Sequence, residues 1–159
     1  MPIYYRQLAI NYARRWAFDR NPAYYDFSSI GGDCTNYVSQ CLFAGSGIMN
    51  TDANLGWYYY SVNDRAPAWT GVSFLSDFLL RKQQSTGVYG KIVSLNEVEP
   101  GDVIQLEDDE GELYHTVFVC ARSNADVFVA SHSADRWYYP LQAYHAAKIK
   151  PIHILGVNG

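Results

Sequence analysis

The sequence predicts an α+β fold in which N-terminal helices pack on one side of a mostly antiparallel sheet of five to six strands. Three observations carry this reading. Apolar residues recur at helical spacing through the first half of the chain, and beyond Gly90 the period shortens to that of strands separated by turn signals. The 159 residues, 48% of them hydrophobic, can also bury one core and leave little room for a second. Residues 1–159 are therefore read as a single domain.

From Tyr4 to Phe18, Tyr5, Leu8, Ala9, Tyr12, Ala13, Trp16 and Ala17 mark the buried face of an amphipathic helix with arginines between them. Asn21-Pro22 ends it, and a loop through Tyr24, Tyr25, Asp26 and Phe27 leads to a sharp turn at Gly31-Gly32. Asp33 then stands as N-cap of a second helix carrying Cys34, Tyr37, Val38, Cys41 and Leu42 on one face and ending near Gly45-Ser46-Gly47. Residues 49–70 have no clean period and hold Trp57, Tyr58, Tyr59, Tyr60 and Trp69, so they are read as a long ordered excursion. Val72 to Leu79 forms a third short helix, after which Gly87 and Gly90 loosen the chain. The Pro100-Gly101-Asp102 turn opens a strand at Val103–Leu106, and Asp108 to Gly111 is a hairpin tip before a second at Leu113–Cys120. Asp126–Ser131, Trp137–Tyr139 and Ile149–Leu155 complete a meander.

Composition narrows the function. Lys and Arg number 12 against 16 Asp and Glu, and the basic pairs Arg14-Arg15 and Arg81-Lys82 are too small for a phosphate-tracking face, so no nucleic-acid partner is expected. No apolar run is long enough to cross a membrane, and the arginine-rich first twenty residues do not read as a signal peptide. Cys34, Cys41 and Cys120 are odd in number and lack CxxC spacing, which excludes a disulfide scaffold and a thiolate zinc cage.

A thiol attacks as thiolate, and position can favour that form. Cys34, in the first turn of a helix after two glycines, meets unpaired backbone N–H groups and the positive end of the helix dipole, which also suit an oxyanion. A base must stand beside it. His115 begins one predicted strand and His132 ends the next. If those strands pair antiparallel, the two residues lie side by side with Cβ atoms about 5 Å apart. The expected arrangement is Cys34, His115 as base, and His132 orienting His115. His145 and His153 are read as ordinary structural residues.

The strings NPAYYDF, GGDCTNYVSQCLFAGSG, DRAPAWTG and YHTVFV resemble the amidase domain found in many Gram-positive bacterial proteins, which is similar in turn to the NlpC-type cell-wall peptidases of the papain-like superfamily. The resemblance covers roughly Tyr5 to Ile154. It implies a papain-like fold, with Cys34 at the nucleophile position, His115 at the base position and His132 at the third polar position, and the Pro100-Gly101-Asp102 turn matches a common feature of the superfamily. It also implies hydrolysis of peptide or amide bonds in peptidoglycan, and a cell-envelope or extracellular location, although the chain shows no export signal, a cytoplasmic location stays open, and free cysteines are compatible with either side of a membrane.

Around this centre several roles stay open. Asp135 competes with His132 as the residue that orients His115. Asp33 is expected to cap rather than to face the thiolate, and Tyr24 or Tyr25 could donate to an oxyanion or pack as hydrophobes. Trp57, Tyr58 and Trp69 are either a substrate-cleft wall or a cover over the helices. The leading reading is a cofactor-free, metal-independent cysteine amidase or peptidase, with a transamidase using the same residues. Against it stand a silent glycan- or peptide-binding module and, more weakly, a Zn2+ site of Cys34, His115 and His132.

Overall fold

The computed structural model describes residues 2–159, in which four α-helices accompany a six-stranded antiparallel sheet and a small hairpin. Helix α1 (Arg6–Trp16) packs on α2 (Cys34–Ser46) through Ala9 and Ala13. The expected aromatic face is corrected here: Tyr5 and Leu8 point outward, and Tyr4 is buried instead, its hydroxyl donating to Gly101 O at 2.6 Å. The cause is the closeness of the two helices. A Cβ on Gly45 would lie 3.0 Å from Ala9 Cβ and 2.7 Å from the Tyr4 ring, so only small residues fit between them.

Helix α2 is buried along most of its length, including Thr35, Asn36, Ser39 and Gln40, and it stops at Gly47 in the left-handed region as its sequence predicts. The excursion contains the hairpin β1 (Tyr59–Ser61) and β2 (Asp64–Arg65) and the turn-long α3 (Pro67–Thr70), and α4 (Val72–Leu79) follows where expected.

Five strands match their sequence signals: β4 (Val103–Glu107), β5 (Leu113–Arg122), β6 (Val127–Ser131), β7 (Arg136–Pro140) and β8 (Lys148–Asn158). A sixth, β3 (Gly87–Ile92), takes the place of the expected loose segment. Its Gly90 is a close approach, because a Cβ there would sit 2.4 Å from His153 O. The strand order β3-β8-β4-β5-β6-β7 also corrects the meander: β4 to β7 follow one another, but β8 returns to the middle and pairs with both β3 and β4.

The sheet is covered on both faces. Val103, Phe118, Ala130, Ile152 and Ile154 join Tyr37, Val38, Trp57 and Trp69 under the helices. Ile104, Leu106, Val117, Val119, Val127 and Val129 face the other way, beneath Val98, Leu141 and Tyr144. Asp102, wholly buried, ties the chain ends to this sheet. It accepts from Arg6 Nη1 (2.8 Å), the Ile154 N–H (2.9 Å) and the Glu99 N–H (2.8 Å), and lies 2.8 Å from His153 Nδ1. Removing that carboxylate strands buried donors. Asp102→Ala is expected to lower stability by about 3 kcal/mol, read as a lower urea midpoint with an unchanged slope.

Candidate active site

Gly31 and Gly32, at φ +79° and +101°, make the turn that delivers Cys34 to the first position of α2. The thiol is 8% exposed. Asp33 occupies the N-cap position, but its side chain makes no cap bond, so the first-turn N–H groups of α2 are left without a side-chain acceptor. The capping role is thereby corrected. Asp33 Oδ1 accepts from the Phe27 N–H (2.8 Å) and from Asn36 Nδ2 (2.9 Å), and Oδ2 lies 2.5 Å from His132 Nδ1.

This pairing also corrects the expected role of His132. Its other nitrogen lies 2.8 Å from Trp16 O and 3.2 Å from Arg20 Nη1, and its ring stacks on Tyr37 with centroids 4.0 Å apart. Both ring nitrogens are engaged away from His115, so His132 buttresses the turn that carries Cys34. Asp135 is no orienter of His115 either, since Arg20 holds both its oxygens at 3.0 Å. Arg20 further reaches Asp26 and Asp33, at 3.3 and 3.6 Å. The turn after β6 closes the assembly: Ser133 and Ala134 take φ of 65° and 73°, and the Asp33 N–H donates to Ser133 Oγ at 3.2 Å.

His115 stands on the neighbouring strand. Thr35 Oγ1 and Thr116 Oγ1 lie 2.9 Å apart, which locks the start of α2 to β5 one residue from each of Cys34 and His115. Thr116 faces α2 and His115 projects to the other side, where its ring lies 5.4 Å from that of Tyr144. Burial drives the His115 pKa down to about 4, so the ring is neutral near pH 7. Tyr144 is a site residue absent from the sequence reading, which had no periodic or motif signal to find it. Its hydroxyl is 2.8 Å from Ser131 Oγ. Burial, foremost, raises its pKa, while Ser131 and Arg136 act the other way. It remains a neutral donor within electrostatic reach of Cys34.

The aromatic residues divide. Trp57 and Trp69 are wholly buried and Tyr58 nearly so, which settles them as core and removes them from any cleft wall. Trp69 Nε1 donates to Asn36 Oδ1 (3.0 Å), and Trp57 Nε1 to Ser39 Oγ (3.0 Å), bracing α2 from behind. Tyr24 and Tyr25 instead line an open groove with Tyr59 and Tyr60. That groove adjoins the site, because Tyr25 O accepts from Asn36 Nδ2 at 3.0 Å. Among the described residues, no group of three or more His, Cys, Asp or Glu is arranged to hold a metal, and the proposed zinc set of Cys34, His115 and His132 is not assembled.

The profile of the family described as "Putative amidase domain" matches residues 3–155. The chain belongs to this family. Among curated proteins it is similar to the uncharacterized protein YhbB of Bacillus subtilis (strain 168), 31% identical over 126 residues, covering 78% of this chain and 39% of that one. It is also similar to the uncharacterized protein YjcM of the same organism, 30% identical over 142 residues, covering 83% of this chain and 31% of the relative. The chain thus spans well under half the length of either. No solved structure matches it significantly.

The depressed His115 pKa makes stability pH-dependent. Between its ordinary value of 6.5 and about 4, the unfolded chain binds a proton that the folded chain refuses. The contribution is full above 6.5 and lost as pH falls to about 4, a change on the order of 3 kcal/mol. In urea unfolding compared at about pH 7 and about pH 5, His115→Gln is expected to lose less stability than the parent protein.

Proposed function

We propose that this amidase-family domain is a cysteine-dependent amide hydrolase that works by acyl transfer through Cys34 and His115, with no metal. The observation that carries this reading is the buried Thr35–Thr116 contact, which brings a helix-terminal thiol and a neutral imidazole to the same end of β5. As Cys34 Sγ bonds to the substrate carbonyl carbon, its proton passes to His115 and the carbonyl π pair moves onto oxygen. The open N–H groups at the start of α2 are donors suited to that oxyanion, and the Tyr144 phenol beside His115 is a further donor on that side. Collapse breaks the C–N bond, and His115 returns the proton to the leaving amine. Water then attacks the thioester with His115 as base, giving the acid and regenerating the thiol. An amine in place of water would give transamidation at the same residues.

A helix bearing the cysteine at its N-terminus, laid across an antiparallel sheet bearing the histidine, supports placing the domain with the papain-like, NlpC-type enzymes. For substrate we favour peptide or amide bonds of bacterial peptidoglycan, and hence action at the cell envelope. The tyrosine-lined groove at Tyr24, Tyr25, Tyr59 and Tyr60, tied to the first turn of α2 through Asn36, offers aromatic faces to a peptide stem or sugar ring. A silent glycan- or peptide-binding module would use this same tyrosine-lined groove, since Trp57 and Trp69 are buried.

Burial raises the Cys120 thiol to about 11 and pushes Cys41 well up, so neither competes for a soft electrophile near neutrality. Iodoacetamide at about pH 7, mapped by mass spectrometry, is expected to label Cys34 at least about tenfold faster than either, and more slowly in His115→Ala. Cys34→Ala should abolish amine release from purified peptidoglycan while the far-ultraviolet circular dichroism stays unchanged. Release that persists in this folded variant would overturn the proposal.

A further inference from the structure

A line of polar side chains runs through the interior beneath Cys34. Gln105 Nε2 lies 2.7 Å from Val72 O and 3.3 Å from Thr116 Oγ1. Thr116 Oγ1 lies 2.9 Å from Thr35 Oγ1, which lies 3.7 Å from Cys34 Sγ. Gln105 and Thr116 are wholly buried and Thr35 is 1% exposed, so water supplies no substitute partner. Four residues from three separate elements make this line, at a place where apolar side chains would pack without polar cost.

The direction of the chain follows from donor counting. A carbonyl only accepts, so the bond to Val72 O fixes the nitrogen end of the Gln105 amide toward the site. Its second N–H then donates to Thr116 Oγ1. Thr116 has one proton to give, and Thr35 Oγ1 is the acceptor in reach, which leaves the Thr35 proton for the Cys34 sulfur. The orientation leaves Gln105 Oε1 buried without a protein partner.

We infer that Gln105, Thr116 and Thr35 are positioning residues that deliver an O–H donor to Cys34 Sγ and stabilise the sulfur as an anion during acyl transfer. A thiol carries its own proton and gains little from a donor, whereas a thiolate gains a charge-assisted hydrogen bond strengthened by the polarised chain behind it. The inference rests on the reading of Cys34 as nucleophile. The ionisable groups around the sulfur are Asp33 on its own helix with Arg20 behind it, His132 after β6, His115 on β5 and Tyr144 before β8. The substitutions below leave these side chains in place, and Thr116→Ser also keeps the hydroxyl contact that holds α2 to β5.

The test is the pH profile of Cys34 labelling by iodoacetamide, which needs no natural substrate. Thr116→Val keeps the branched shape and removes the hydroxyl. It is expected to slow labelling at about pH 7 by about tenfold and to move the midpoint up by about one pH unit. Thr116→Ser should restore the parent profile, which a role confined to packing of the methyl group would not produce, and Thr35→Val should reproduce the defect. Thr35→Val decides the matter if Thr116→Val does not fold. Parent-like profiles in the folded valine variants, or failure of serine to rescue, overturn the inference while leaving Cys34 as nucleophile. Slow, unselective labelling in the parent protein overturns the nucleophile reading itself.

Discussion

The arrangement of the site depends on one buried carboxylate. Asp33 is 1% exposed, and each of its bonds fixes a different piece of chain: the loop at Phe27, the first turn of α2 through Asn36, and the end of β6 through His132. An ion in that position is tolerable only when its lone pairs are filled and an opposite charge is near. Arg20, in the segment after α1, supplies the charge, bridging Asp33, Asp26 and Asp135. Because so many partners converge on Asp33, the neighbouring thiol has little freedom to move. The Gly31-Gly32 turn and the left-handed Ser133 and Ala134 are the backbone conformations this convergence requires.

A second carboxylate does the same for the frame. Asp102 gathers Arg6 from α1 and His153 and the Ile154 N–H from β8, so both ends of the described chain are tied to the turn before β4. With β8 inserted between β3 and β4, the last strand in sequence becomes central in space. The sheet then carries apolar residues on both faces, and its second face, capped by Leu141 and Tyr144, is the side to which His115 projects. Cys34 and His115 thus approach from opposite sides of one strand end, joined through the Thr35–Thr116 contact.

Much of this was legible locally. The ends of α2 and α4 and the positions of β4 to β8 follow from periodicity, glycine stops and turn signals, which depend on neighbours in sequence. The face of α1 was not legible, because Tyr4 and Tyr5 are equally apolar and only the tight packing of Ala9 against Gly45 decides which turns inward. β3 was hidden by Gly87 and Gly90, whose absent side chains read as looseness but serve a close backbone approach. His132 was correctly placed at a strand end, yet its partner was not recoverable: a ring can turn to either side of an edge, and Asp33 lies 99 residues away.

The sequence by itself determined the α+β order, the single helix-terminal cysteine after a glycine turn, and the histidine at the start of a strand. Each is a local consequence of side-chain size, backbone permissiveness and period. Only the tertiary structure decided where β8 inserts, which aromatics are core, and that Asp33 holds His132 while Tyr144 borders His115. Those outcomes turn on buried polar groups finding partners across long stretches of chain, and the competition among partners is settled by packing that no local pattern records.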